Sequence, residues 1–128
     1  MFNRKKVLVT GSGGQLGRTL QKSCSDKNSF EWTFLPKEKL DITNIYEIKA
    51  AFEKYNPCFC INCAALTDVL KSEKEPALAY KVNVEGVKNL TQICNENETS
   101  MIHISTDYVF DGKKKRPYIE NDKTNPLN

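Results

Sequence analysis

Lys6-Val7-Leu8-Val9-Thr10-Gly11-Ser12-Gly13-Gly14-Gln15-Leu16-Gly17 decides the fold of this chain. A short apolar run ends at glycine, as a buried parallel strand does. Leu16, Leu20 and Cys24 then mark the inner stripe of a helix from about Gly14 to Cys24. A glycine turn between strand and helix lies at the carboxyl end of the strand, where open α/β sheets bind ligands. Gly11 allows the sharp turn. Gly13 and Gly14 let a pyrophosphate approach the backbone with no Cβ in the way, and Gly17 lets the helix pack close to the strand. The N–H groups of Gly14, Gln15 and Leu16 then face an anion at the positive end of the helix. No Gly-Lys-Ser/Thr follows, so this is not a Walker-type loop. The turn reads as a dinucleotide site, with a purely structural turn as the alternative.

The alternation continues along the chain. Phe30 to Leu35 reads as a second strand, ended by Pro36. Asp41-Ile42-Thr43 opens a second helix, with Thr43 or Asp41 as its cap. Ile45, Ile48, Phe52 and Tyr55 give that helix a buried face, and Asn56-Pro57 stops it. Cys58 to Cys63 is a third strand. Pro76 suits the first turn of a third helix, which runs to about Asn95 with Tyr80, Val84, Val87, Leu90 or Thr91, and Cys94 on one side. Met101 to Ser105 is a fourth strand, and residues after Asp111 read as a loop. Alternating elements imply right-handed crossovers and a parallel sheet. The expected fold is α/β: a Rossmann-like doubly wound parallel sheet of about four strands, few for a complete nucleotide-binding domain.

Length and composition narrow the class. The 128 residues suit one domain, and 39% apolar with 27% charged residues is a globular composition. No stretch approaches the roughly 20 apolar residues that span a bilayer. Arg4-Lys5-Lys6 leads into only Val7 to Thr10, which is no signal peptide. A cytoplasmic chain without a membrane partner is expected. A net charge of +3 gives little reason to expect nucleic acid. The basic run Lys113-Lys114-Lys115-Arg116 follows a turn signal at Asp111-Gly112 and reads as a solvated loop, or else as a contact for an anionic ligand. Five cysteines, an odd number, do not suggest a disulfide framework. Cys58 and Cys60 share one strand face and Cys63 the other, so small buried core residues are expected there rather than zinc.

The residue that selects between NAD and NADP sits about 20 residues beyond the glycine turn, after the second strand. Pro36-Lys37-Glu38-Lys39 holds that place, and no acid directly follows the strand. Lys37 and Lys39 suit a 2′-phosphate, which leans towards NADP and leaves NAD open; simple solvation of both is the alternative.

Beyond the glycine turn, the carriers of a resemblance are Leu40-Asp41-Ile42-Thr43, Asn62-Cys63-Ala64-Ala65-Leu66-Thr67, Val82-Asn83-Val84-Glu85-Gly86 and His103-Ile104-Ser105-Thr106-Asp107-Tyr108-Val109-Phe110-Asp111-Gly112. With Pro117-Tyr118 and Asn125-Pro126-Leu127-Asn128, their order and spacing resemble the dTDP-4-dehydrorhamnose reductase family, a branch of the extended short-chain dehydrogenases. The resemblance covers essentially the whole chain. It implies that Gly14, Gln15 and Leu16 hold the pyrophosphate, within a turn that also needs Gly11 and Gly13. It implies that Asp41 and Ile42 flank the adenine, and that Ala64, Ala65, Leu66 and Thr67 line the nicotinamide side. Thr106 would polarise the keto carbonyl of a nucleotide-sugar substrate, with Asp107 beside the sugar. A tyrosine, aided by a lysine four residues on, would give the proton while NADPH gives the hydride.

Other readings stand beside these. Asp41 also suits a helix cap, and Ser105 and Thr106 a strand end. His103 reads as a hydrogen-bonded or core histidine. Asn83 is divided between a structural hydrogen bond to the sheet and an active-site role. Leu66 stands where the family usually has an aromatic or histidine, and Leu70 where many members have aspartate. Thr19 replaces a glutamate that some members use in a metal-bridged dimer, so no metal is expected; a homodimer remains open. The largest departure is the proton donor. Tyr46, Tyr55, Tyr80, Tyr108 and Tyr118 are followed four residues later by Ala50, Phe59, Val84, Gly112 and Asp122, so the chain has no Tyr-x-x-x-Lys. The resemblance therefore implies an N-terminal cofactor-binding portion that is inactive alone. The alternatives are a non-catalytic NADP-binding regulatory subunit, or a part of another sugar-nucleotide epimerase or dehydratase.

Overall fold

Val7, Leu8 and Val9 lie buried at the middle of a four-stranded parallel sheet. The structure, a computed structural model, describes residues 4–24 and 29–128. Strand β1 (Lys5–Thr10) leads through the glycine turn into α1 (Gln15–Cys24) and on to β2 (Phe30–Leu35). Helix α2 (Ile45–Tyr55) crosses back to β3 (Phe59–Asn62). Two short helices, α3 (Val69–Lys74) and α4 (Pro76–Tyr80), a π-helical stretch (Lys81–Gly86) and α5 (Val87–Glu96) then lead to β4 (Ser100–His103). A 3-10 turn, Asp107–Val109, follows.

The strand order is β2-β1-β3-β4, with every neighbour parallel. The chain steps from β1 to one side and afterwards to the other. Right-handed crossovers therefore put α1 on one face and α2 with α5 on the opposite one. The reversal lies between β1 and β3, and their carboxyl ends are level: Thr10 pairs with Asn62. That is the place where a doubly wound sheet opens a ligand crevice.

The main core sits on the α2/α5 face. Leu8 and Cys60, partners across β1 and β3, pack with Ile48 and Phe52 of α2 and with Leu90, Ile93 and Cys94 of α5. The Cys60 thiol is held protonated, first by its hydrogen bond with the Cys94 thiol and then by burial. On β2, Trp32 and Phe34 stack, their ring centroids 5.9 Å apart. Strand β4 forms the other edge, with Ile102 about half exposed (49%).

The structure revises several expectations. In α1 the buried residue is Gly17, while Leu16 is exposed and Leu20 and Cys24 are half-buried; a backbone approach, not a leucine stripe, seats this helix. The cap of α2 is Asn44, whose side chain accepts from the Tyr46 N–H at 3.1 Å. Asp41 instead braces the preceding turn. Asn56 ends α2 in the left-handed region, at φ 44°. Of the three clustered cysteines only Cys60 is fully buried; Cys58 is exposed and Cys63 half-buried, because β3 is shorter than the apolar run. The single long third helix is interrupted by the π-helical stretch. Leu90 and Cys94 are buried as expected, joined by Ile93 and by Gly86 at the end of the π-helical stretch, whereas Tyr80, before it, is exposed. Helix α3, capped by Asp68, was not legible as a helix beforehand.

Candidate functional site

Gly11 has φ +61°, and a Cβ there would lie 2.5 Å from the Ala64 nitrogen. Only glycine lets the turn after β1 press against the segment after β3. A Cβ on Gly17 would meet Ser12 Cα at 2.4 Å, so α1 too approaches backbone to backbone. Gly13 and Gly14 differ: a Cβ there would find its nearest neighbours at 3.5 Å and 3.4 Å, and both residues are exposed. The fold does not need glycine at Gly13, which leaves a bare cradle at the amino end of α1. The Gly14 N–H donates to Gly11 O at 3.0 Å, so it is engaged within the turn rather than free. Gln15 and Leu16, at the start of α1, have no backbone carbonyl partner for their N–H groups among the described residues. An anion can be met there by two N–H groups and the helix dipole. The Ser12 N–H donates to Leu35 O at 3.2 Å and ties the turn to the end of β2.

Beside the turn, Asn62 is a buried hub that sequence reasoning gave no role. Its Oδ1 accepts from the Thr10 hydroxyl at 2.6 Å and from the Ala64 N–H at 3.1 Å. Its Nδ2 lies 3.1 Å from His103 Nδ1. One carboxamide thus joins the carboxyl ends of β1, β3 and β4. The signal for it was polar residues at the ends of buried strands: each buried polar group needs a partner. His103 is hydrogen-bonded, as expected, though exposed rather than in the core.

The segment Ala64-Ala65-Leu66-Thr67 leaves β3 next to Gly11. Asn83, on the π-helical stretch, holds it: the Leu66 N–H donates to Asn83 Oδ1 at 2.8 Å, and Asn83 Nδ2 donates to Leu66 O at 3.0 Å. Asn83 thus makes a structural bond, directed at the candidate nicotinamide segment and not at the sheet.

Asp41 lies past the end of β2. Its Oδ1 accepts from the Thr43 N–H at 2.9 Å and the Thr43 hydroxyl at 2.8 Å. Partial burial works to raise its pKa, but the two Thr43 bonds and the nearby Lys37 and Lys81 outweigh it, so Asp41 titrates below its ordinary value. Asp41 Oδ2 makes no hydrogen bond among the described residues. The Ile42 side chain is buried in the core against Gly86, so only its backbone can border a ligand.

Thr106 and Asp107 leave the carboxyl end of β4, beyond His103, the partner of Asn62 in the sheet. Both are exposed. Thr106 caps the 3-10 turn: its Oγ1 accepts from the Tyr108 N–H at 3.2 Å. Within the basic run, Lys114 and Arg116 pair with Asp122. Their ion pairs sit on the solvated loop that the sequence suggested.

The sheet therefore brings the glycine turn, the Ala64–Thr67 segment and the Thr106–Asp107 exit to one edge. Among the described residues, no helix is long and apolar enough to cross a membrane.

Relatives share this fold. The dTDP-4-dehydrorhamnose reductase of Aggregatibacter actinomycetemcomitans is 42% identical over 122 residues, which are 95% of this chain and 42% of that protein. A crystal structure of a dTDP-4-dehydrorhamnose reductase from Clostridium acetobutylicum superposes with a TM-score of 0.89 at 45% identity, over 94% of this chain and 43% of that one. The enzyme of that name from Bacillus anthracis, solved in complex with NADP, gives a TM-score of 0.94 at 34% identity, over 100% of this chain and 45% of that one. The chain thus spans less than half the length of these relatives. The family described as the RmlD substrate binding domain matches residues 5–128. With nearly every residue inside that match, the chain belongs to the RmlD substrate binding domain family, among proteins named dTDP-4-dehydrorhamnose reductase.

Proposed function

We propose that this chain is the cofactor-binding part of an NADP(H)-dependent reductase of a dTDP-4-keto-6-deoxy sugar. The observation that carries this is the bare cradle at Gly13, opposite a close-packed Gly11, at the amino end of α1. The Bacillus anthracis relative with NADP bound supports the choice of cofactor.

Gln15 and Leu16 would hold the pyrophosphate through their N–H groups. Asp41 would accept from the adenine amine through Oδ2, since Oδ1 is engaged with Thr43. Lys37, close enough to Asp41 to lower its pKa, lies on the side where a 2′-phosphate would be met. Ala64 to Thr67 would border the nicotinamide, in a position fixed by Asn62 and Asn83. The bound cofactor would supply the hydride. Thr106 would donate its hydroxyl hydrogen towards the keto oxygen, with Asp107 beside the sugar.

Residues 1–128 contain no Tyr-x-x-x-Lys, so they lack the proton donor this reduction needs. The expectation is NADPH binding without turnover. Fluorescence titration with NADPH, followed by absorbance after adding the keto-sugar nucleotide, tests both parts. Absence of NADPH binding would remove the cofactor assignment; steady NADPH oxidation would remove the need for the tyrosine.

A further inference from the structure

The segment after the 3-10 turn has no helix or strand to hold it, yet it is closely tied. Asp111 gathers three donors there. Its Oδ1 accepts from the Lys113 N–H at 3.0 Å and the Tyr118 hydroxyl at 2.9 Å. Its Oδ2 accepts from Asn125 Nδ2 at 3.1 Å. The Asn125 N–H donates to Val109 O at 2.9 Å, and the Val109 N–H donates to Thr106 O at 3.3 Å. Hydrogen bonds and one intervening residue at each step thus connect the Asp111 carboxylate to Thr106. The Tyr118 ring stacks on Phe110, centroids 4.2 Å apart and planes 12° apart, closing the same loop. The loop frames an open pocket of about 500 Å³ whose walls include Asp107, Tyr108, Leu127 and Asn128.

We propose that Asp111 is a positioning residue for Thr106, acting through Asn125 and Val109 to fix the place of the Thr106 hydroxyl at the exit of β4, where its neighbours Asp107 and Tyr108 line the pocket. The inference rests on the reading of Thr106 as the group facing the substrate carbonyl. A carboxylate suits the place because three donors converge on it and nothing there needs a proton from it. The anchor is also selective. Tyr118 and Lys113 hold the loop to Asp111, while Asn125 is the donor to the carboxylate that also bonds Val109 and so reaches the Thr106 carbonyl. The Phe110 N–H bonds Asp107 O independently of Asp111, and the Phe110–Tyr118 stack survives in Tyr118→Phe.

The test is a set of variants of this chain read by NMR at the Thr106 and Tyr108 amides, with NADPH affinity measured alongside. Asp111→Ala removes every acceptor, and Asn125→Ala cuts only the route to Thr106. Both are expected to move those amide signals, and to weaken perturbation of Thr106 by the keto-sugar nucleotide about tenfold, the size of one good hydrogen bond. Asp111→Asn keeps one carbonyl oxygen, and Asn125 can turn its amide to match, so wild-type signals are expected. Tyr118→Phe loosens the loop but leaves the route intact, and is also expected to leave Thr106 unmoved. NADPH affinity should change by less than about twofold throughout, because the glycine turn is untouched. Disturbance of Thr106 by Tyr118→Phe as large as by Asn125→Ala would overturn the proposal, as would an unmoved Thr106 in Asp111→Ala. If the wild-type chain binds neither NADPH nor the sugar nucleotide, the functional reading falls, and the amide signals still decide the role of Asp111.

Discussion

Asn83 bonds both backbone groups of Leu66, accepting from its N–H at 2.8 Å and donating to its carbonyl at 3.0 Å. One side chain, displaced by a π-helical stretch, thereby fixes a segment seventeen residues earlier. The pair leads to the first prediction. Asn83→Ala removes two hydrogen bonds, each worth about 1 kcal/mol. Amide exchange at Leu66 should speed up and NADPH affinity should fall about tenfold. Exchange and affinity equal to wild type would show that Leu66 is held by something else.

Three glycines of the turn should separate into two classes. Gly11→Ala and Gly17→Ala place a Cβ within 2.5 Å of backbone. Each should cost more than about 2 kcal/mol of stability by urea unfolding. Gly13→Ala meets nothing closer than 3.5 Å, so the melting temperature should stay near wild type while NADPH affinity drops, since the Cβ enters the cradle. A Gly13→Ala chain that binds NADPH normally would place the pyrophosphate elsewhere.

Asn62→Leu tests the hub between β1, β3 and β4. The substitution leaves the fully buried Thr10 hydroxyl and the half-buried Ala64 N–H without their acceptor. Stranded buried donors cost about 1–3 kcal/mol each, so unfolding should shift by a few kcal/mol in total. Denaturant titration measures this, and a change below about 1 kcal/mol would argue that other groups take over.

The loop after β4 should open in acid. The Asp111 carboxyl is held at about 2 by the Lys113 N–H, Asn125 and Tyr118, and the Asp122 carboxyl at about 2 by Lys114, the Ile119 N–H and Arg116. Both folded values lie below the ordinary carboxylate value of 3.8, so the stabilisation is present above that pH and is lost as pH falls through about 2. Phe110–Tyr118 ring contacts followed by NMR should persist at pH 5 and weaken between about 4 and 2. The partners of Asp122 include two cations and the donors to Asp111 are neutral, so salt should reduce the Asp122 contribution more than that of Asp111.

Much of the fold was legible because it follows local periodicity. Phe30–Leu35 is a strand with the bounds its composition implies, and Pro36 and Asn56-Pro57 end elements where backbone sterics require it. The third helix was less legible. Its apolar spacing from Tyr80 to Cys94 is consistent with one helix, but a π-helical stretch changes the phase without changing composition. Asp41 carried a capping signal that Asn44 fulfils instead, since several polar residues in a row can each cap and only tertiary contacts choose among them.

The sequence by itself determined the order of the strands and of the longer helices, the glycine turn and the absence of any Tyr-x-x-x-Lys, because these are properties of neighbours along the chain. Only the tertiary structure decided that Gly11 and Gly17 serve packing while Gly13 faces open space. It alone showed that the Gly14 N–H is spent within the turn, that Ile42 belongs to the core, and that Asn62 and Asn83 hold the Ala64–Thr67 segment. Those distinctions depend on which atoms meet across the sheet, and residues fifty-two positions apart, such as Thr10 and Asn62, meet only when the strands pair.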